Sequence, residues 1–140
     1  MKIDELIEKK LIRKEKVSKE EIFGSLELAE RFLERAEGNF KIGFWDVTFL
    51  LAYSAMFHSA RILLYKNGYK ERSHWAMILV LKDIYKKNEK IQKILDIIDS
   101  YRISRHAIQY RGSLCSRVDA EEVMKDAKKF IEIIKEIIGS

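Results

Sequence analysis

The sequence has no proline, one cysteine and only six glycines in 140 residues. Because proline interrupts helices, its absence favours long continuous helices, and the glycines stand mostly where helices would stop. The single Cys115 excludes an internal disulfide and, on its own, a thiolate metal site. We therefore expect a chain of helices that owes nothing to disulfides or structural zinc.

Membrane-spanning runs and a secretory signal are also missing from the pattern. No stretch approaches the ~20 apolar residues of a membrane span, and residues 1–5 have no apolar signal core. We expect a cytoplasmic protein with no membrane partner. The net charge of +5 permits an anionic partner such as RNA or a nucleotide, although most basic surfaces of this size are only solvated lysines.

Apolar residues recur with helical spacing along almost the whole chain. Residues 1–17 predict a basic amphipathic arm or short helix, which could dock on the body or on a second subunit. Residues 18–140 predict one all-α domain, an antiparallel up-and-down bundle of four to five helices, and no segment has the period of a strand. The helices are expected from a capping box at residues 18–21 to about 39, then over 44–66, 73–87, 89–110 and from a cap at 119–122 onward. Trp45 and Trp75 are expected in the core rather than as platforms for nucleic-acid bases.

A polar seam runs along the apolar helix expected over residues 44–66. At about 100° per residue, its four members fall within roughly one sixth of the helix circumference: Ser54, His58, Arg61 and Tyr65. A buried charge without a partner costs several kcal/mol, so the seam should meet a counter-group, a cleft or another subunit. The purely structural interpretation of the seam is a hydrogen-bonded network that holds this helix against its neighbours.

A second polar cluster lies on the helix expected over residues 89–110. Arg102, Arg105, His106 and Gln109 project to one side, and Tyr110 follows His106 by one turn. Guanidinium groups bind phosphate oxygens bidentately, and a histidine can move protons near neutral pH. The cluster therefore suits a phosphodiester, although arginines near helix ends often only pair with carboxylates.

Other chemistry-bearing motifs are absent from the sequence. It contains no glycine-rich phosphate loop, no nucleophile elbow and no zinc-type spacing of cysteine or histidine. We accordingly expect no metal and no cofactor.

The chain resembles the HEPN superfamily (the higher-eukaryote and prokaryote nucleotide-binding domain), closest to its small stand-alone prokaryotic branch. The resemblance covers nearly the whole chain after about Ser18. It rests on Ala52-Tyr-Ser-Ala-Met-Phe-His-Ser-Ala-Arg61 with Leu63-Leu64, on Gly68 and Ser73-His74, on Arg105 to Tyr110, and on Leu28-Ala29-Glu30 and Phe44-Trp45-Asp46.

This resemblance implies an antiparallel helical bundle that forms homodimers, with a working cleft at a helix or subunit interface. It also implies a partner, since such proteins are often encoded beside a minimal nucleotidyltransferase as a toxin–antitoxin pair. Active members look like metal-independent ribonucleases with an arginine, four to six residues and then a histidine. In some pairs the partner nucleotidylates a tyrosine near that motif.

The strict ribonuclease motif is absent from this chain. Arg102 and His106 are separated by only three residues, and Arg105 has Tyr110 where the motif has histidine. The preferred hypothesis is therefore a subunit that binds RNA or a nucleotide beside a nucleotidyltransferase. The alternatives are a ribonuclease toxin, in which Arg102 and Arg105 hold phosphate while His106 or His58 is the acid or base, and a structural helical dimer. His74 is included among the candidate nucleotide- or RNA-binding residues.

Overall fold

The protein is described here by a computed structural model that covers residues 3–139. The first two residues of the expected arm and Ser140 lie outside the described residues. The chain is all-α, as predicted, apart from one small sheet. The elements are α1 (Ile3–Glu8), β1 (Ile12–Lys14), α2 (Lys19–Lys41), α3 (Trp45–Lys66), β2 (Tyr69–Glu71), α4 (His74–Ile84), α5 (Glu89–Arg111) and α6 (Arg117–Gly139).

Helix α3 is the centre of the bundle, with α2, α5 and α6 packed against it. Its sequence is apolar nearly all the way round, which is the composition of a helix surrounded by other elements. By length and composition alone α3 could cross a membrane, but 67% of its most apolar window is buried inside the protein. The helix is thus covered by protein, like the core helix of a water-soluble domain.

The expectation that no strand forms is wrong for residues 12–14 and 69–71. β1 and β2 pair antiparallel, with Ile12 opposite Glu71, and Ile12 is only 1% exposed. Helix α1 stops at a left-handed residue, Lys10, where the amides of Lys10 and Leu11 bond to carbonyls of the last turn. The helical spacing of the arm therefore continues only to residue 8, and the chain then turns to place Ile12 in the core.

The predicted helix ends are close to those observed, and the differences have local causes. Ser18 caps α2 through its Oγ, which accepts from the amide of Glu21 at 3.1 Å. The Glu21 carboxylate, predicted to complete a capping box, instead pairs with Lys70 at 2.8 Å. The last cap lies earlier than predicted, because Ser116 and Asp119 exchange side-chain and amide hydrogen bonds at 3.1 Å and α6 begins at Arg117.

Helix α5 has two different halves. Its buried side chains all lie in the first half, at Ile91, Ile94, Leu95 and Ile98. From residue 101 to 111 every side chain is half-buried or exposed. The polar second half consequently borders a surface depression beside α4.

Candidate functional site

A pocket of about 460 Å³ lies between the start of α4 and the second half of α5. Three arginines and two histidines contribute to its wall, and none of its described lining residues is a carboxylic acid. The lining residues are Ser73, His74, Trp75, Arg102, Ile103, Arg105, His106, Ala107 and Arg111. The pocket is therefore a cationic site bordered by aromatic surface.

The α4 side of the pocket is held by a helix N-cap. Ser73 accepts the amide of Ala76 at 3.2 Å through its Oγ, which fixes the first turn of α4. His74 and Trp75 follow directly, so both are presented at the helix start. Trp75 is 40% exposed and lines the pocket, so the expectation that it lies in the core is wrong. The apolar pattern of α4 is satisfied by its neighbours, Ala76 to Ile78.

The α5 side brings together three of the predicted residues, Arg102, Arg105 and His106. Arg102 is partly neutralised, because its Nε donates to Asp99 at 2.9 Å one turn earlier. This is the carboxylate pairing that the sequence left open, and it applies to one of the two predicted arginines.

Arg105 has no carboxylate partner among the described ion pairs. Its guanidinium lies over the ring of Tyr53, 5.2 Å from the ring centroid, and Nη1 donates to Gln109 at 3.4 Å. Its Nε is buried and has no hydrogen-bond partner within residues 3–139. A buried donor left unpaired costs about 1–3 kcal/mol, so an acceptor that reached this group would relieve that cost.

His74 is fixed on two sides inside the pocket wall. Its ring stacks on Phe57 with 3.8 Å between centroids, and Nδ1 lies 3.0 Å from the hydroxyl of Tyr53. Burial, followed by the positive charge of Arg105, lowers the pKa of His74 to about 4. The imidazole is therefore neutral at physiological pH.

The exposed predicted residues of α5 lie toward the rim of the pocket: His106, which also lines it, and Gln109 and Tyr110 beyond it. His106 is exposed, and its ring centroid is 5.0 Å from that of Tyr110. Tyr110 is 65% exposed, and Gln109 is exposed beside Arg105. Neither Gln109 nor Tyr110 is among the described residues that line the pocket.

The polar seam of α3 meets a counter-group rather than the pocket. Arg61 donates from Nε and Nη2 to the two carboxylate oxygens of Glu71, at 3.1 and 2.8 Å, and Glu71 is only 7% exposed. Tyr65 lies beside the same charges, with its ring centroid 5.8 Å from the Arg61 guanidinium and 5.6 Å from Lys70 Nζ. This bidentate pair fastens β2 to α3.

The remaining seam residues are engaged within the bundle. His58 stacks on Phe32 at 5.4 Å, and burial together with Arg61 lowers its pKa to about 4. Ser54 donates to the carbonyl of Leu50 in its own helix. None of Ser54, His58, Arg61 and Tyr65 is among the described pocket-lining residues.

Seam and pocket are nevertheless connected through aromatic rings. Arg61 lies over one face of Phe57, 4.7 Å from its centroid, and His74 stacks on the same ring at 3.8 Å. The contacts of His74 are thus set partly by the ion pair that anchors β2.

Sequence reasoning missed three residues that matter for the site: Tyr53, Glu71 and Arg111. Tyr53 stands one helical turn before Phe57, and this spacing could have drawn attention to it. Glu71 belongs to a strand that has no pattern of its own. Arg111 lies about 120–180° away from Arg102 and Arg105 on an ideal helix, so helical spacing argues against it.

The arrangement favours binding an anion that also carries an aromatic or apolar group. Within residues 3–139, no group of three or more His, Cys, Asp or Glu side chains could hold a metal ion. Arginine donors, a neutral imidazole and an exposed indole are instead the groups that contact phosphates and bases in nucleotide sites.

The family model described as HEPN domain matches residues 24–137. The match includes α3, α4 and α5, which together build the pocket and the seam. No curated protein matches the chain significantly.

Proposed function

Because this chain belongs to the HEPN family, we propose that it binds a nucleotide or RNA in the arginine-lined pocket between α4 and α5. The observation that carries the proposal is the combination of Arg102, Arg105 and Arg111 with the exposed Trp75 around one pocket whose described lining has no carboxylic acid.

The phosphate would be held mainly by Arg105. Its guanidinium is not neutralised by a carboxylate in the described ion pairs, and its Nε lacks a partner. A planar guanidinium matches phosphate oxygens in a bidentate fashion, which gives orientation as well as energy. Arg111 adds an exposed charge, whereas Arg102 already shares its charge with Asp99.

The base would contact Trp75. Stacking of a nucleobase on an aromatic side chain contributes about 1–3 kcal/mol and tolerates any base. The side chain is 40% exposed at the pocket wall, so it is available for such a contact.

The biological setting that we propose is a toxin-type HEPN subunit that acts in the cytoplasm as a homodimer beside a minimal nucleotidyltransferase. The family resemblance supports this setting. Exposed apolar side chains offer surface for either protein contact: Ile103 in the pocket wall, and Tyr110, Leu114 and Val118 outside it.

The direct test is a fluorescence titration of Trp45→Phe, whose remaining indole is Trp75, with adenosine monophosphate and a short single-stranded RNA. We expect the ligand to change the emission. Arg105→Gln in the same background should weaken binding about 10- to 150-fold, as expected for loss of a charge-assisted hydrogen bond of about 1.5–3 kcal/mol.

The control for this titration is Arg31→Gln, which removes an exposed charge from α2. It should leave the affinity within about twofold, since distant surface charges are largely screened. No response to either ligand, or equal weakening by the two substitutions, would contradict the proposal.

Metal-independent RNA cleavage is the second candidate, and the location of His106 and His74 beside two arginines favours it. A base must take the ribose 2′-hydroxyl proton while cations stabilise the phosphorane charge. Incubation of RNA with the protein in EDTA, beside His106→Ala, tests this chemistry. Cleavage by the wild type alone would support a ribonuclease, and intact RNA from both would leave a binding subunit.

The third interpretation, a purely structural dimer, differs from the first two at the pocket, which should then bind nothing. Arg61→Met should change dimerisation or stability. Nucleotide binding by the unmodified protein excludes that interpretation.

A further inference from the structure

We infer that Tyr53 holds His74 in the tautomer whose Nε2 carries the proton, so that His74 offers the pocket a neutral hydrogen-bond donor. The tautomer is a property of the free protein. Only its use, donation to a phosphate oxygen, rests on the proposed function.

The geometry restricts Tyr53 to one partner. The side chain is 1% exposed, and its hydroxyl lies 3.0 Å from Nδ1 of His74. Within residues 3–139, the hydroxyl of Tyr53 has no hydrogen-bond partner other than His74. Stacking on Phe57 fixes the plane of the imidazole, and the hydrogen bond to Tyr53 orients Nδ1 toward the phenol, because a flipped ring would present a carbon atom there.

Hydrogen-bond satisfaction then selects the tautomer. A phenol hydroxyl always carries a proton that needs an acceptor, and a buried donor without one costs about 1–3 kcal/mol. If Nδ1 were protonated, it would donate to the phenol oxygen, and the Tyr53 proton would have no acceptor among the described groups. If Nδ1 is unprotonated, it accepts from Tyr53 and both groups are satisfied. The ring proton is then on Nε2.

The phenol also remains a donor under ordinary conditions. Burial raises the pKa of Tyr53 to about 12, so the hydroxyl stays protonated. The charges that face His74 come from Arg61 on α3, Glu71 on β2, and Arg102 and Arg105 on α5; Glu71 favours the imidazolium and the three arginines oppose it. A second proton would have to enter at Nδ1, where it would displace the Tyr53 hydrogen bond.

This assignment separates the roles of the two pocket histidines. His74 with a proton on Nε2 can donate to an anionic oxygen, but it has no free lone pair to take a proton from a ligand hydroxyl. Tyr53 is a positioning residue that acts through His74. Any proton abstraction in the pocket would therefore fall to His106 on the exposed rim.

The experiment is ¹⁵N–¹H correlation NMR of the imidazoles in the full-length ¹⁵N-labelled protein near pH 7. The signals of His74 are assigned by their loss in His74→Phe, which keeps an aromatic ring against Phe57. We expect an unprotonated Nδ1 and a protonated Nε2 for His74. A protonated Nδ1, or a charged ring, would overturn the inference whether or not the protein binds nucleotides.

The matched variants are Tyr53→Phe and Tyr65→Phe, each of which removes one phenol hydroxyl. Tyr53→Phe should reduce the preference to the weaker one of a free neutral imidazole, so that the two nitrogen signals move toward averaged values, while Tyr65→Phe leaves the signals of His74 unchanged. Circular dichroism checks that both variants are folded. A His74 pattern that persists in folded Tyr53→Phe would show that another group selects the tautomer.

The use of the donor is tested with adenosine monophosphate on the same samples. Loss of an oriented neutral donor should weaken binding about 2- to 12-fold in Tyr53→Phe, which corresponds to about 0.5–1.5 kcal/mol. An unchanged affinity would contradict the claim that His74 donates a hydrogen bond to phosphate, but it would not affect the assignment of the tautomer. If the wild type binds no nucleotide, the proposed function fails, and the NMR result still decides the tautomer.

Discussion

Two imidazoles inside this bundle, His58 and His74, are surrounded mainly by aromatic rings and arginines, and Glu71 is the one carboxylate described as acting on His74. His58 lies between Phe32 and Phe57, and His74 lies between Phe57 and Tyr53. Each environment disfavours the imidazolium, because burial removes hydration and neighbouring arginines repel the charge. The folded protein therefore contains two histidines that stay neutral well below the ordinary histidine pKa.

Stability should consequently decrease on acidification. The unfolded chain protonates these histidines near pH 6.5, whereas both have a folded-state pKa of about 4. Between those values the unfolded state binds more protons, so stability is full above about pH 6.5 and is lost as the pH falls toward 4. For half-buried groups, we expect about 1–3 kcal/mol per histidine.

Urea unfolding at pH 7.5 and pH 4.5 measures this change. His58→Phe, which keeps a ring against Phe32, should remove its share of the pH dependence. Equal stability of the wild type at the two pH values would contradict the neutral-imidazole account.

At the residue scale, the sequence predicted the α5 side of the pocket better than the α4 side. Arg102, Arg105 and His106 share a helix, so their spacing alone brings them together. The contact between Tyr53 and His74 joins two helices and depends on how α3 and α4 pack, which spacing within one helix cannot show. The sequence left open whether the seam meets a counter-group, a cleft or another subunit, and Glu71 could not be identified as the partner of Arg61 without β2.

At the element scale, the two-stranded sheet of β1 and β2 is held to α3 by an ion pair that has little exposure to solvent. Arg61 and Glu71 are 24% and 7% exposed, so breaking their bidentate contact leaves a charge with little hydration. Glu71→Gln should lower the free energy of unfolding by about 1–3 kcal/mol, measured by urea denaturation.

A second glutamate near the same sheet supplies the control. Glu15 pairs with Lys70 and Arg13 at the surface, and exposed pairs contribute little. Glu15→Gln should therefore cost clearly less than Glu71→Gln. A similar decrease in the free energy of unfolding for both variants would show that solvent exposure does not determine how much these ion pairs stabilise the protein.

Substitutions at two residues with left-handed backbone, one after α1 and one after α5, should change stability in opposite directions. Lys10, two residues after the end of α1, has φ 60°, whereas Gly112, directly after α5, has φ 69°. Because a side chain disfavours this conformation by about 1 kcal/mol, Lys10→Gly should stabilise the protein and Gly112→Ala should destabilise it by about that amount. Thermal unfolding measures both, and the same sign for both variants would contradict the account.

The element scale also shows why the helices could be predicted and the sheet could not. Helices α2 to α6 are long, and caps such as Ser18 are local signals that need no tertiary contact. Strands of three residues have too few positions for an alternating pattern. The spacing of apolar residues in the arm predicts that Ile12 is helical. In the structure Ile12 is instead in β1, where its side chain is buried in the core, and the free energy of this burial favours the strand.

At the scale of the whole molecule, the net charge of +5 becomes functional only where it is concentrated. Some cations pair with acids, as Lys82 does with Asp96 and Lys135 with Glu30. The pocket is distinctive because three arginines share it, and only Arg102 of the three has a described carboxylate partner. The proposed affinity for polyanions is thus a local property.

Salt dependence measures this concentration of charge. Each phosphate neutralised on a single strand contributes about −0.7 to the slope of log affinity against log salt, so three arginines predict a slope of about −2. Arg111→Gln should make the slope shallower by about 0.7, whereas Arg31→Gln should not change it. If Arg111→Gln leaves the slope unchanged, Arg111 does not contact phosphate, and the contacts that produce the salt dependence lie elsewhere.

The most direct test of the central claim is amide NMR mapping of the full-length protein titrated with a short single-stranded RNA. The account predicts that shifts concentrate at residues 73–75 and 102–111, and that Arg105→Gln abolishes them at the same RNA concentration. Shifts confined to the lysine-rich residues 9–16, or no shifts at all, would contradict the claim that the pocket between α4 and α5 is the binding site.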